Sequence, residues 1–224
     1  MKYYVLSSLQ AEDYPISLIG NAVLFESLEH ATTKYDYSYF PWYDIEKHES
    51  CELPKNGVLV LSDRNLKITI RNIKYNLYVV NEEIKKILSK YVDTNFYEID
   101  VIDENMEEIL HSKCYIFKLN VCSTHESFLN LEDSMFKFSE GFLVLEKIYS
   151  SKSFYQNIFK LKDIDPAQDT IFVSEKVKVD LDKLNGQGFN IYDISLAKWR
   201  DPDDFISSLY LDEDEESNEL IWPI

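Results

Sequence analysis

A segment of 24 residues occurs twice in the chain. Residues 77–100 (LYVVNEEIKKILSKYVDTNFYEID) align without a gap with residues 170–193 (TIFVSEKVKVDLDKLNGQGFNIYD), an offset of 93 residues. Recurrence at a fixed offset indicates that one supersecondary unit is used twice. Chance similarity in a sequence rich in lysine, glutamate and isoleucine is the alternative. Seven positions are identical: Val80/Val173, Glu82/Glu175, Lys85/Lys178, Leu88/Leu181, Lys90/Lys183, Phe96/Phe189 and Asp100/Asp193.

Each copy has the pattern of a strand, a short helix and a second strand. A β-prone run ends at Asn81 or Ser174, whose side chains can accept a hydrogen bond from the free amides of a first helical turn. Apolar residues then recur at helical spacing, at Ile84, Ile87, Leu88 and Tyr91 in the first copy and at Val177, Leu181 and Leu184 in the second. Asp93 and Asn95 in one copy, and Gly186 and Gly188 in the other, are typical helix ends. The second strands are predicted to begin at Phe96 and Phe189.

Further β-branched and aromatic runs predict additional strands. They are Lys2–Leu6, Val58–Leu61, Cys114–Val121, Gly141–Tyr149 and Gln156–Leu161. We therefore predict an α+β fold with a mixed or mainly antiparallel sheet, a few short helices and two related strand–helix–strand units. Residues 1–200 are predicted to form a single α+β domain, built as one body or as two lobes. Residues 201–224 would follow it as an acidic C-terminal segment.

The chain is strongly acidic, with a formal net charge of −17. Such a field repels a polyanion, which disfavours nucleic-acid binding, and it accelerates association with a basic protein. Solubility alone is the alternative reason for the acidic excess. Residues 201–224 contain nine acids and no lysine or arginine, so this segment alone carries −9.

Cysteine usage and hydropathy indicate the cytoplasm. The three cysteines, Cys51, Cys114 and Cys122, do not form the even, dense set of a secreted disulfide scaffold. The N-terminal residues lack the pattern of a signal peptide, and no run approaches 18 apolar residues. We expect a cytoplasmic protein that does not enter a membrane.

No residue pattern predicts catalysis or a cofactor. His111-x-x-Cys114 and Cys122-x-x-His125 offer zinc-type ligands, but the residues between them resemble one continuous strand. At about 3.3 Å per residue, that strand would hold the two cysteines about 26 Å apart, too far for one ion. The sequence also lacks a nucleophile elbow and a phosphate-binding loop. We therefore expect no catalytic residue, no metal and no cofactor.

Two features favour protein binding. Residues 35–43 carry six aromatic side chains, of the types enriched at interface hot spots, although they could instead fill a core. The acidic C-terminal segment could dock on a basic surface, or it could be a solvated tail. The candidate partner-binding residues are Tyr37, Trp42, Asp201, Asp203, Asp204, Asp212, Glu213, Asp214, Glu215 and Glu216.

Several ordered segments resemble a known family. They are Lys2-Tyr3-Tyr4, Phe128–Ser134 (FLNLEDS), Gly141–Ile148, Asn157–Leu161 (NIFKL), Ile171–Glu175 (IFVSE) and Gly188-Phe189. As a set they resemble the immunity-protein-eleven family of bacterial polymorphic toxin systems, formerly a domain-of-unknown-function family. The similarity covers residues 114–195 best, with weaker echoes from 58 to 102. Residues 185–188 depart from the pattern, because a single glycine is expected there.

The resemblance implies a small intracellular protein that binds and blocks a toxin encoded beside it. It carries no catalytic or binding residues over to this chain, and it leaves the oligomeric state open. We therefore predict a non-enzymatic immunity protein that neutralises a cognate toxin by steric and electrostatic occlusion. The alternatives are a hydrolase-type enzyme that reverses a toxin's modification and a regulatory or scaffold module. A neighbouring toxin gene would distinguish immunity from the scaffold alternative.

Overall fold

The computed structural model describes residues 1–8, 13–15, 18–109, 113–164, 170–184, 188–197 and 199. Two single-turn 3₁₀ helices, Tyr37–Tyr39 and Pro41–Tyr43, accompany the strands and α-helices. The helices are α1 (Leu28–Thr32), α2 (Glu82–Leu88), α3 (His125–Phe128) and α4 (Glu175–Leu181). The strands are β1 (Tyr3–Ser8), β2 (Ala22–Phe25), β3 (Val58–Leu61), β4 (Ile70–Lys74), β5 (Leu77–Asn81), β6 (Tyr97–Asp103), β7 (Cys114–Lys118), β8 (Cys122–Ser123), β9 (Met135–Ser139), β10 (Phe142–Lys147), β11 (Ile158–Leu161), β12 (Ile171–Ser174) and β13 (Phe189–Asp193).

The strands form two larger sheets and one hairpin. One sheet has the order β2-β3-β6-β7-β5-β4, in which only β3 and β6 run parallel among the described pairs. The other has the order β13-β1-β12-β11-β8, with β11 parallel to β8 and antiparallel to β12. Strands β9 and β10 pair as an antiparallel hairpin. The predicted α+β fold, with mixed and mainly antiparallel sheets and few short helices, is confirmed.

The chain divides into two compact units. The first contains Met1–Ser7, Val121–Val179 and the described residues from 190 onward. Its core is a cluster of aromatic rings, in which Phe159 stacks on Phe172 and meets Phe128 edge-on. The second unit contains Ser8–Asn120 and Asp180–Phe189, and its core is mainly aliphatic. Each unit thus buries its own apolar side chains, which is the main source of stability for short helices and strands.

The two copies of the repeated segment fold as the sequence predicts. The first copy forms β5, α2 and β6, and the second forms β12, α4 and β13. Asn81 caps α2, because its Oδ1 accepts a hydrogen bond from the Ile84 amide at 2.9 Å. The hydroxyl of Ser174, by contrast, donates to the Asn157 side chain at 2.9 Å. The predicted helix end at Gly186 lies outside the described residues.

The repeat extends beyond the matching sequence to the order of four strands. In the second unit the order is β4-β5-β7-β6, and in the first it is β11-β12-β1-β13, so β1 takes the place of β7. Ile70 pairs with Val80 as Ile158 pairs with Val173. The next residues along β4 and β11, Arg71 and Phe159, therefore occupy equivalent positions in the two units. Both are buried.

The described helices are short. The longest, α2 and α4, have seven residues each. A membrane-spanning helix needs about 20 apolar residues, and no described helix is long and apolar enough to cross a membrane.

Candidate protein-binding surface

Helix α1 ends in a left-handed turn that leads into the aromatic segment. Lys34 has a φ of 50°, a conformation usually taken by glycine at a helix end. The amide of Lys34 donates to the Ala31 carbonyl at 3.1 Å, and that of Tyr35 donates to the His30 carbonyl at 3.0 Å. These two bonds make a Schellman motif, which reverses the chain direction. The turn is why the residues after α1 leave the helix axis and run across the surface.

Two 3₁₀ turns then set which aromatic rings face outward. Asp36 caps the first turn by accepting a hydrogen bond from the Ser38 amide at 2.9 Å. Pro41 begins the second turn, where its lack of an amide proton costs nothing. Between them, Tyr39 is 74% exposed whereas Phe40 is buried. Single-turn helices therefore send adjacent aromatic residues to opposite sides.

The two aromatic residues proposed from the sequence to bind a partner differ in position. Tyr37 is 47% exposed. Trp42 is 3% exposed, belongs to the core of the second unit and stacks on Phe40 with ring centroids 4.8 Å apart. The structure thus leaves Tyr37 available for contact and places Trp42 beneath the surface, where its ring packs against the core. That either residue binds a partner stays a prediction.

Tyr43 holds the Tyr37 ring in place. Its hydroxyl accepts a hydrogen bond from the Leu24 amide at 2.8 Å, and burial raises the pKa of Tyr43 well above its ordinary value. Tyr37 contacts it edge-on, with ring centroids 5.2 Å apart. A ring that is already positioned loses little side-chain entropy on binding. We call the exposed rings of Tyr35, Tyr37 and Tyr39 the tyrosine face.

A cleft of about 790 Å³ adjoins the tyrosine face within the second unit. Tyr35, Tyr37 and Tyr43 line it together with apolar side chains of β2, β3 and β4. Its volume lies within the range of natural binding clefts, and its wall is apolar with a few polar groups. The polar lining includes Asn21, Lys34, Lys74, Glu104 and Asn105.

Lys118 anchors the loop that follows the tyrosine face. Its side chain is buried, and Nζ donates to the carbonyls of His48 at 2.6 Å and Cys51 at 2.5 Å. A third carbonyl, that of Glu49, lies at 3.4 Å. A buried ammonium group must be paired with acceptors, so this one fixes the loop against β7. The loop carries several of the acids described next.

The tyrosine face lies in an acidic stretch of chain. Residues 26–52 contain seven acids and two lysines, a net charge of −5. The acids are exposed except Asp44, which is half-buried. Hydrogen bonds from the Lys47 side chain and the Glu46 amide hold the pKa of Asp44 below its ordinary value. The acids are Glu26, Glu29, Asp36, Asp44, Glu46, Glu49 and Glu52.

The remaining candidate residues lie outside the described part of the chain. They are the acids of the C-terminal segment: Asp201, Asp203, Asp204, Asp212, Glu213, Asp214, Glu215 and Glu216. Their role in partner binding stays a prediction.

The cysteines of the zinc-type pattern lie on two different strands. Cys114 is buried in β7, and Cys122 is exposed in β8. The strand predicted to run without a break from Cys114 to Val121 ends at Lys118, because the chain there leaves one sheet and enters another. His111 lies outside the described residues.

Two features of the structure have no counterpart in the sequence predictions. The first is the cleft, whose lining comes from segments that span residues 19–106. The second is a hydrogen bond between His125 and Asp163, which are 38 residues apart. Alternating aromatic residues in a loop could have suggested the tyrosine face, but no local pattern indicates either of these long-range groupings.

Comparison with known proteins gives no assignment. No family model matches the chain, and no curated protein matches it.

Proposed function

We propose that this protein binds and neutralises a cognate bacterial toxin with a basic surface, as an immunity protein that covers its target without chemistry of its own. The observation that carries the proposal is the tyrosine face, three exposed rings within an acidic stretch of chain. The resemblance to the immunity-protein-eleven family and a cytoplasmic location belong to the same proposal.

The side chains suit a protein partner. Tyrosine offers a large apolar ring with few rotatable bonds and a hydroxyl that can bond to polar groups, and it is enriched at interface hot spots. Tyr37 rests on Tyr43, and Tyr35 contacts Tyr39 with ring centroids 6.2 Å apart. The rings therefore support one another as a patch, and a patch of positioned rings binds with a small entropic cost.

The charge suits a basic partner. Seven acids lie between residues 26 and 52, and the C-terminal segment adds nine more in the sequence. Opposite charge on a partner accelerates association and selects against acidic proteins. If the toxin is a nuclease, these carboxylates could occupy the place of substrate phosphates. The toxin's active cleft would then be closed to its substrate.

The first test measures affinity for the product of the adjacent toxin reading frame. Tyr37→Ala and Tyr39→Ala together should weaken binding about 30-fold or more, because truncating a hot-spot residue costs about 2 kcal/mol. Tyr155→Ala is the matched control, since Tyr155 is equally exposed but lies in the first unit. Equal affinities for the two variants, by calorimetry, would remove the tyrosine face from the proposal.

The second test addresses charge. Glu26→Gln, Glu29→Gln and Asp36→Asn, combined, should slow association with the toxin and flatten its dependence on ionic strength. Asp36→Asn keeps the side-chain oxygen that caps the Ser38 amide. The control removes three exposed acids from the first unit, at Glu132, Glu140 and Glu146. Association rates that fall equally in both triple variants would show a general field and no directed surface.

Stoichiometry separates occlusion from an enzymatic rival. An occluding protein abolishes toxin activity at about one molecule per toxin, because each complex blocks one active cleft. An enzyme that reverses a modification neutralises an excess of toxin, because it turns over. Titration of toxin activity against this protein measures the ratio directly. An end point far below one equivalent would refute occlusion.

A further inference from the structure

Two strand ends bring a histidine and an aspartate together in the first unit. Strands β8 and β11 run parallel, with Ser123 opposite Leu161. Parallel strands deliver their carboxyl ends to one edge of a sheet, so residues two positions further on become neighbours. These residues are His125 and Asp163, and Glu126 follows His125 in α3. Ligand atoms of the three side chains lie within 4.8 Å of one another, the one such group found in the described ranges.

Asp163 fixes the orientation of the imidazole. Its Oδ2 accepts hydrogen bonds from the His125 amide at 3.1 Å and from Nδ1 of the ring at 2.8 Å. Burial alone would raise the pKa of Asp163, but the hydrogen bonds from His125 outweigh it and hold the pKa below its ordinary value. The aspartate is therefore a carboxylate that accepts both protons. In a neutral imidazole the proton then sits on Nδ1, and Nε2 carries the lone pair.

Two phenylalanine rings restrict the histidine further. Phe136 and Phe138 contact the imidazole edge-on, with ring centroids 5.4 and 5.3 Å away. The His125 side chain is largely shielded from solvent as a result. A shielded ring with one nitrogen already bonded has one polar atom left, Nε2, and its direction is fixed.

The free nitrogen faces a second carboxylate. Nε2 of His125 lies 3.4 Å from Oε1 of Glu126. A neutral imidazole would place two lone pairs opposite each other at this distance, an arrangement that needs a cation between them. Two ligand atoms bound about 2.1 Å from one tetrahedral zinc ion also lie about 3.4 Å apart. The observed spacing therefore suits a shared metal ion.

We propose that Nε2 of His125 and the carboxylate of Glu126 bind a divalent transition-metal ion, with zinc as the representative, and that Asp163 orients the histidine. A carboxylate bonded to the second nitrogen of a metal-binding histidine is the usual outer-shell arrangement. Glu126 is exposed, so the remaining coordination positions face solvent and are filled by water or by a donor from another molecule. Such a site is open, in contrast to a closed structural zinc site.

The test is calorimetric titration of the full chain with zinc chloride at pH 7.5. One ion should bind, and Glu126→Gln, which keeps the side-chain shape, should weaken binding at least 10-fold. Asp163→Asn should weaken it about 10-fold, because loss of an outer-shell partner costs 10- to 100-fold in affinity. Glu132→Gln, an exposed acid of the same unit, is the control and should bind as the unaltered protein does. Circular dichroism establishes that each variant is folded.

Two further measurements exclude other readings of the same heat. The ¹⁵N resonances of the His125 ring should show zinc at Nε2 and a retained proton at Nδ1. A ring protonated on both nitrogens in the presence of zinc would overturn the proposal, because a proton would then be the bridging cation. Cys122→Ser should leave the affinity unchanged. Binding that survives in Glu126→Gln, or disappears in Cys122→Ser, would likewise overturn it.

Discussion

Gly188 occupies a position that no other residue can take without cost. Its φ is +70°, and its carbonyl accepts a hydrogen bond from Nη2 of Arg71 at 2.7 Å. A Cβ added there would overlap Cδ1 of Tyr14 and lie 2.6 Å from its Cγ and 2.9 Å from Nη2 of Arg71. Contacts under 3.0 Å essentially never occur for a Cβ atom, so the backbone or the Tyr14 ring must move.

The expected cost of Gly188→Ala has two parts. A left-handed backbone costs an alanine about 1–2 kcal/mol, and forcing extra volume into a packed site costs about 1–3 kcal/mol. Gly141→Ala separates them, because Gly141 has a φ of +89° but no atom within 4 Å of its added Cβ. The smaller entropy of an unfolded alanine chain offsets both variants equally. Gly188→Ala should therefore be about 1–3 kcal/mol less stable than Gly141→Ala.

Urea denaturation followed by circular dichroism measures both variants. Adding Tyr14→Ala to Gly188→Ala should recover part of the loss, since removing the ring removes the overlap, and the double-mutant cycle isolates that part. Equal free energies of unfolding for Gly188→Ala and Gly141→Ala would refute the steric reasoning. Strict additivity with Tyr14→Ala would show that the ring is not the obstacle.

Three other substitutions have defined outcomes. Lys34→Gly should stabilise the protein by about 0.5–1 kcal/mol in urea denaturation, because it relieves a left-handed lysine, whereas Lys34→Ala should not stabilise it. Lys118→Met should cost about 2–3 kcal/mol by leaving the carbonyls of His48 and Cys51 without their donor, and exposed Lys55→Met should cost almost nothing. Burial raises the pKa of Tyr3 to about 12, so stability from its neutral hydroxyl is complete below pH 10 and is lost as pH rises through 12. Tyr3→Phe should therefore be less stable than the unaltered protein at pH 8 but not at pH 12, and a pH-independent difference would contradict this.

The local structure of the repeated segment followed from its sequence. A cap at Asn81, apolar residues at helical spacing and a β-prone run on either side are local signals, and the cap bond to Ile84 is present as expected. The helices are shorter than the pattern suggested, with seven residues where about ten were expected. Helix ends are set by tertiary packing as well as by sequence, which explains the difference.

The candidate surfaces were harder to foresee, because they depend on long-range contacts. His125 meets Asp163 only because β8 and β11 are parallel and in a particular register, and register is not readable from either strand alone. The aromatic segment was visible in the sequence, but which rings face outward depends on single-turn helices. Trp42 and Tyr39 are three residues apart, yet one is buried and the other is exposed.

The equivalent positions Arg71 and Phe159 show why a repeat can predict a fold better than a core. Phe159 fills the aromatic core of the first unit, where its neighbours are other rings. Arg71 is 1% exposed, but its guanidinium donates to the carbonyls of Pro15, Ile70 and Gly188. Pro15 and Gly188 lie outside any strand ladder, so their buried carbonyls need a donor that an aromatic ring cannot supply. The same strand register therefore accommodates opposite chemistry, and the choice between them is made by the irregular chain packed against it.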